Sequence, residues 1–191
     1  MRHCARLPAA HASSPKADPR VPKNAPFSSE PLNDRHVLTS FRSTNDSLDR
    51  WLRESAARAS AHGTGRAWVW HTGDREVVGY FTLVAHLVHR EALSRTQGRS
   101  LPREVPGILI AKLALSEHLH GQGLGEQLLL DALSRCVAAG EVVGSHFVVV
   151  DAIDAAAETF YMRYGLQPLP DTTPTRLLRR LASIATDLHG M

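Results

Sequence analysis

Between Ile108 and Ala132 the hydrophobic period of the chain changes abruptly across one short polar turn, and the rest of the chain is organised around that change. Ile108 to Leu115, ILIAKLAL, is an apolar run broken only by Lys112, which reads as a buried strand. Glycines follow at 121, 123 and 125, where a turn needs positive φ or close backbone approach. From Leu124 the apolar positions 124, 128, 129, 132, 133 and 136 take helical spacing. The unit is strand, glycine loop, helix N-terminus. Free N–H groups and the positive end of the helix dipole meet there, which makes a site for an anion, most naturally a diphosphate.

Two common diphosphate motifs do not fit. GxxxxGK(S/T) is absent, and a dinucleotide GxGxxG would need glycine where Glu126 stands. Composition narrows the class further. At 191 residues and 43% hydrophobic, the chain has enough material for one full core. No run approaches the roughly 18 apolar residues of a membrane span. Arg2 and Arg6 are followed by no apolar segment of the kind a secretory signal needs. With Cys4 and Cys136 the only cysteines, and no HExxH or paired CxxC, the expectation is a cytoplasmic protein with no disulfide framework and no metal.

Along the chain, residues 1–31 lack periodicity and are expected to be a disordered basic tail or a misplaced start, ahead of a single domain over 32–187. Arg35–Phe41 reads as a short strand, and Leu48–Ala61 as an amphipathic helix through Leu48, Trp51, Leu52 and Ser55. Ala67–His71 and Val77–Ala85 form a hairpin around Thr72-Gly73-Asp74. His86–Pro106 is a long polar segment, expected to be an irregular loop with some helix. The central helix runs to about Ala138, with Gly140 as its stop. Phe147–Val150 is a strand, and Asp154 caps a helix that reaches Arg163 and closes at Gly165. Arg176–Ile184 is a final strand or helix. The order defines a mixed α/β sheet.

Charge is unevenly placed. Residues 1–30 hold five Lys/Arg against two Asp/Glu, which accounts for the whole net +3. Arg35–Arg66 carries six arginines against three acids, whereas Glu117–Glu158 carries seven acids against Arg135 alone. Such asymmetry suits a polyanionic partner on one face, although a solvated mixed-charge surface fits as well.

His120-Gly121-Gln122-Gly123-Leu124-Gly125 resembles the pyrophosphate loop of the GNAT superfamily of acyl-CoA N-acyltransferases, Q/R-x-x-G-x-G, with His120 at the first position. Asp154–Leu166, DAAAETFYMRYGL, resembles a second GNAT element, (N/D)xxAxxFYxxxGF, through Ala157, Phe160, Tyr161 and Gly165. By itself Phe160-Tyr161 would read as core packing. The resemblance implies a single twisted, largely antiparallel sheet with a central V-shaped splay, flanked by helices. It implies that acetyl-CoA lies in that splay against the backbone of Leu113, Ala114 and Leu115, with Ala157 and Phe160 lining it. Its diphosphate would rest on His120, Gly121, Gln122, Gly123, Leu124, Gly125 and Glu126. It further implies that Tyr161 is the general acid that protonates the departing thiolate. No single base is obvious among Glu117, His118 and His120.

A third resemblance is narrower. Phe41-Arg42-Ser43, Leu48-Asp49-x-Trp51-Leu52, Gly79-Tyr80-Phe81-x-Leu83 and Lys112-Leu113-Ala114-Leu115 resemble the FxSGxxxLDxWL, GYYxL and RLAV patterns of GNAT toxins from bacterial type II toxin–antitoxin pairs. Departures are the missing glycine after Ser43, Lys112 for Arg, His120 for Gln/Arg and Leu166 for Phe. This resemblance implies acetylation of the α-amino group of aminoacyl-tRNA, arrest of translation, a homodimer, and a ribbon-helix-helix antitoxin that carries the complex to operator DNA. Arg42, Arg53, Arg90, Arg95 and Lys112 are then candidate tRNA contacts, with Arg50, Arg58, Arg99 and Arg103 behind them. Two other readings stay open: a housekeeping acetyltransferase for a small amine or protein N-terminus, and a non-catalytic acyl-CoA-binding repressor component.

Overall fold

The apolar run at 108–115 becomes the spine of the molecule. The computed structural model describes residues 27–170 and 172–190. Within them a seven-stranded sheet runs in the order β1-β2-β3-β4-β5-β7-β6. These strands are β1 (Ser28–Pro31), β2 (Arg66–His71), β3 (Val77–His89), β4 (Glu104–Leu115), β5 (Phe147–Ala152), β6 (Gln167–Pro168) and β7 (Thr175–Arg180). All neighbours are antiparallel except β4 and β5. That one parallel pair needs a crossover, which α4 (Leu124–Val143) supplies. The remaining helices are α1 (Asp46–Glu54), α2 (Ala56–Ala61), α3 (Arg95–Gly98), α5 (Ala155–Arg163) and α6 (Leu181–His189). No described helix is long and apolar enough to cross a membrane.

Alternation along the strands places a core on each face of the sheet. Phe81, Val148 and Val150 join Leu128, Leu129 and Leu133 of α4 in the largest cluster. Tyr80, one residue from Phe81, turns the other way and packs with Phe41, Leu52 and Val69 under α1. Phe147 and Val149 likewise turn away from Val148, toward Val88, Val105 and Leu178.

The sheet opens in the middle. β4 pairs with β5 only from Gly107–Phe147 to Ile110–Val150. At that point the β3–β4 register slips: Leu83 faces Ile110 but Thr82 faces Lys112, so Ala111 is an extra residue in β4. Such a bulge bends its strand. Beyond it β4 follows β3 to Leu115, while β5 follows β7 to Ala152. A fork-to-fork pair holds β5 to β7 there, Arg176 Nε to Asp151 Oδ1 at 2.7 Å and Nη2 to Oδ2 at 2.9 Å.

Several sequence expectations are corrected. Ser28–Pro31, assigned to the tail, is an edge strand on β2, whereas residues 1–26 lie outside the described residues. Residues 35–41 form no strand; only Val37 makes a bridge, to Glu76. The helix expected over 48–61 breaks at Ser55 into α1 and α2. Only the two ends of His86–Pro106 are sheet, since β3 runs to His89 and β4 starts at Glu104; between them lies the expected irregular connection with some helix, α3. Gly140 does not end α4, which stops at Gly144 in the left-handed region. A Cβ on Gly140 would lie 2.6 Å from Leu181 Cδ1, so this glycine admits α6 instead. The final segment is both alternatives in turn, strand to Arg180 and helix from Leu181.

Candidate active site

The splay leads directly into the glycine loop. Past Ile110, Leu113 is half-buried, and Ala114 and Leu115 are buried, all on the β4 arm that has left β5. Ser116 N donates to Val78 O at 2.8 Å and ends the strand; a 3-10 turn over Glu117–Leu119 follows. His120 folds back, its Nε2 3.0 Å from the Leu115 carbonyl. A carbonyl only accepts, so Nε2 is the donor in this contact. Gln122 Nε2 donates to His118 O at 3.0 Å, a second brace on the same turn. Leu115 O is thus partly engaged by His120, with one lone pair left over.

The N-terminus of α4 is open. Its N-cap is Gly123 at φ 76°, and no side chain bonds its free N–H groups. α1 and α5 differ: Asn45 accepts from Ser47 and Leu48 N, and Asp154 accepts from Ala157 N at 2.7 Å. Gly121, at φ 74°, is also left-handed, a conformation costly for other residues. A Cβ at Gly121, Gly123 or Gly125 would meet no heavy atom within 4 Å, so the loop borders empty space. Leu124 is buried in the main core and anchors the turn, while Glu126 points outward. An uncapped helix end with at least three free N–H groups can hold an anion by dipole and hydrogen bonds together.

Tyr161 comes from α5, fixed by the Asp154 cap at one end and by Gly165 at φ 74° at the other. It is 8% exposed and shares the main apolar cluster with Leu115, Leu124 and Ala152. The structure therefore brings tyrosine, splay and loop into one neighbourhood. The Tyr161 hydroxyl makes no hydrogen bond among the described residues, and burial pushes its pKa up to about 12. It is a phenol, never a phenolate, at neutral pH. Phe160 stands edge-on to both Tyr161 and Tyr164, with centroids 5.4 and 5.2 Å away. Phe160 and Ala157 are half-buried against the same cluster. Burial and the Glu126 carboxylate both raise the Tyr164 phenol.

The cations fall into two groups. Arg42 Nη1 and Arg53 Nη1 both donate to Phe41 O, at 2.7 and 3.3 Å, which pins the loop before α1. Lys112 Nζ lies 5.4 Å from the Trp51 ring centroid, and Trp51 stacks on Tyr80. Arg50 and Arg58 project from α1 and α2. Arg90, Arg95, Arg99 and Arg103 lie together on the β3–β4 connection, all exposed; Arg90 donates to Leu101 O at 3.0 Å. Sequence reasoning missed Arg180, whose Nη2 reaches Gln97 O at 3.3 Å and adds a cation to this second group. It also gave Asp49 no role. That buried carboxylate accepts from Ser43 N at 3.0 Å and Ser43 Oγ at 2.6 Å, tying α1 to the loop bearing Arg42. The signal was the motif itself, where Asp49 follows Ser43 by six residues.

No family model matches the chain. A curated relative, a tRNA-acetylating toxin of Mycobacterium tuberculosis (strain ATCC 25618 / H37Rv), is 36% identical over 148 residues, covering 77% of this chain and 87% of its own. A solved structure of AtaT complexed with acetyl-methionyl-tRNAfMet matches with a TM-score of 0.78 at 28% identity, covering 84% of this chain and 98% of that one. A tyrosine-to-phenylalanine mutant of the toxin AtaT, bound to the C-terminus of the antitoxin AtaR and acetyl-CoA, matches at a TM-score of 0.72 and 26% identity, covering 84% and 96%. The β4–β5 splay, the open glycine loop and Tyr161 all border one apolar cluster. The chain belongs to the GNAT toxins of type II toxin–antitoxin systems.

Proposed function

We propose that this chain transfers acetyl from acetyl-CoA to the α-amino group of an aminoacyl-tRNA and thereby stops translation. The observation that carries the reading is the β4–β5 splay, which opens beside an uncapped glycine N-terminus with an unpartnered tyrosine in the same core. The acyl arm of acetyl-CoA lies in the splay and pairs with backbone groups of Leu113 and Leu115, which face the side that β5 has left. The diphosphate sits on the N–H groups of Gln122 to Glu126. Ala157 and Phe160 line the α5 side.

The amine attacks the thioester carbon, and the C–S bond breaks as the tetrahedral intermediate collapses. Tyr161 gives its proton to the leaving sulfur. A phenol at about 12 is a weaker acid than an exposed tyrosine near 10. Its proton therefore moves as the bond breaks, inside a cleft whose low polarity also raises the basicity of the thiolate. The amine must shed a proton first. Of Glu117, His118 and His120, His120 is the one whose ring is held to β4, through Nε2 on the Leu115 carbonyl, which leaves Nδ1 as the ring atom for the amine proton.

The basic connection carrying Arg90, Arg95, Arg99 and Arg103, with Arg42, Arg53 and Lys112 by α1, supplies cations for tRNA phosphates. A ribbon-helix-helix antitoxin that brings operator DNA, a homodimeric state and a cytoplasmic location complete the proposal. The test is cell-free translation of a reporter message with native protein, with and without acetyl-CoA. Inhibition that requires acetyl-CoA is expected. Translation unaffected by both together would refute it.

A further inference from the structure

We propose that Glu30, His36 and His71 form a zinc site that clips the edge strand β1 to the sheet, independently of acetyl transfer. Three separate stretches supply the ligands: Glu30 lies on β1, His36 on the connection to α1, and His71 at the end of β2. One potential ligand atom from each lies within 4.8 Å of the others. His36 Nε2 is 3.0 Å and His71 Nε2 is 3.6 Å from Glu30 Oε1. Around a tetrahedral zinc with bonds of about 2.0–2.1 Å, ligand atoms stand about 3.3–3.5 Å apart. Small side-chain movements reach that geometry.

The second observation concerns the imidazoles. The side chains of His36 and His71 are 0% and 8% exposed, yet neither Nε2 has a directed hydrogen bond. Two orphaned buried nitrogens facing one carboxylate require an explanation. His71 Nδ1 is 2.7 Å from Thr72 O and donates to it, which leaves Nε2 as the ring atom available to a metal. His36 Nδ1 is 3.3 Å from Asn33 O and 3.1 Å from Asn33 N. The Asn33 backbone thus serves either tautomer, including the one that frees Nε2. A metal-bound histidine characteristically donates its other N–H to a carbonyl in this way. Two imidazoles and a carboxylate are a zinc donor set, with water as fourth ligand on the side where Glu30 is 32% exposed. Arg75 Nη1, 2.8 Å from Oε1, donates to the lone pair of that oxygen that zinc would leave, and so holds the carboxylate in place. No sequence motif announces this cluster, which is why a metal-free chain was expected.

Tag-free native protein, stripped with a chelator, is titrated with zinc chloride by calorimetry and melted with and without zinc. One equivalent is expected to bind, and Tm to rise by about 5 °C at saturating metal. Glu30→Gln is expected to weaken binding at least tenfold, and His71→Phe to abolish it. Should His71→Phe fail to fold, cobalt bound to native protein gives a visible spectrum of four-coordinate N/O type, and native imidazole 15N shifts report metal on two Nε2 atoms. Absence of one-equivalent binding overturns the site. So does binding left unchanged by Glu30→Gln, which would place zinc on other histidines among the eleven.

Discussion

Gly125→Ala separates the needs of the fold from those of the coenzyme. Gly125 is the second residue of α4, has ordinary helical φ, and would present its Cβ to nothing within 4 Å. Alanine there should stabilise the chain, by about 0.5–1 kcal/mol, through helix propensity and reduced freedom of the unfolded state. For a domain of this size Tm should rise by about 1–3 °C. Every helical Cβ tilts toward the N-terminus, so the new methyl projects into the space before the free N–H groups. A diphosphate oxygen needs to come within about 2.9 Å of those nitrogens. Losing one charge-assisted hydrogen bond costs about 1.5–3 kcal/mol, or roughly 10- to 150-fold in Kd. Gly123→Ala is the contrast: at φ 76° it should lose about 1–2 kcal/mol of stability as well as affinity. Thermal melts and acetyl-CoA calorimetry on both variants decide. A stabilised Gly125→Ala that binds acetyl-CoA as tightly as native protein would refute the loop assignment.

Three further outcomes are expected. Tyr161→Phe should keep its Tm within about 2 °C, because the hydroxyl bonds nothing among the described residues, and should lose at least about 100-fold in acetyl transfer with acetyl-CoA affinity intact; a large drop in Tm would mean that the hydroxyl is structural. Arg95→Glu with Arg99→Glu, two exposed positions, should raise KM for charged tRNA, leave kcat unchanged and flatten the salt dependence by about 0.7–0.9 per lost phosphate contact; an unchanged salt slope would place the RNA elsewhere. Stability should fall on acidification. Burial and Arg176 hold His86 below the ordinary 6.5, and burial and Arg180 do the same for His146, so the unfolded chain binds their protons first and Tm drops as pH falls through 6.5. A pH-independent Tm between about 8 and 5.5 in the native chain would contradict both shifts.

Features set by local chemistry were legible before the structure. Gly121, Gly123 and Gly165 all adopt positive φ, Asp154 caps α5, and the helix carrying Tyr161 ends where its glycine said. Features set by contacts between distant residues were not. Ser28–Pro31 has no apolar pattern and is a strand only because β2 offers an edge. Val37 and Leu38 look like strand residues but are held by one bridge and a turn. Gly140 reads as a helix stop until Leu181 is placed against it. The splay was implied by resemblance, but its local origin, the extra Ala111, is invisible in a uniform apolar run. Arginines could be listed from sequence, yet only the fold shows Arg180 joining the 90–103 group and Arg42 spent partly on Phe41 O.

The central claim is a chemical one, and radiolabelled acetyl transfer to tRNA tests it most directly. Labelled acetyl-CoA is incubated with native protein and a pool of charged tRNA, with deacylated tRNA and Tyr161→Phe as controls. Label on charged tRNA alone, lost with the phenol, is the predicted result. No label on charged tRNA, alongside turnover on free amines, would contradict the account and make the chain a small-amine acetyltransferase.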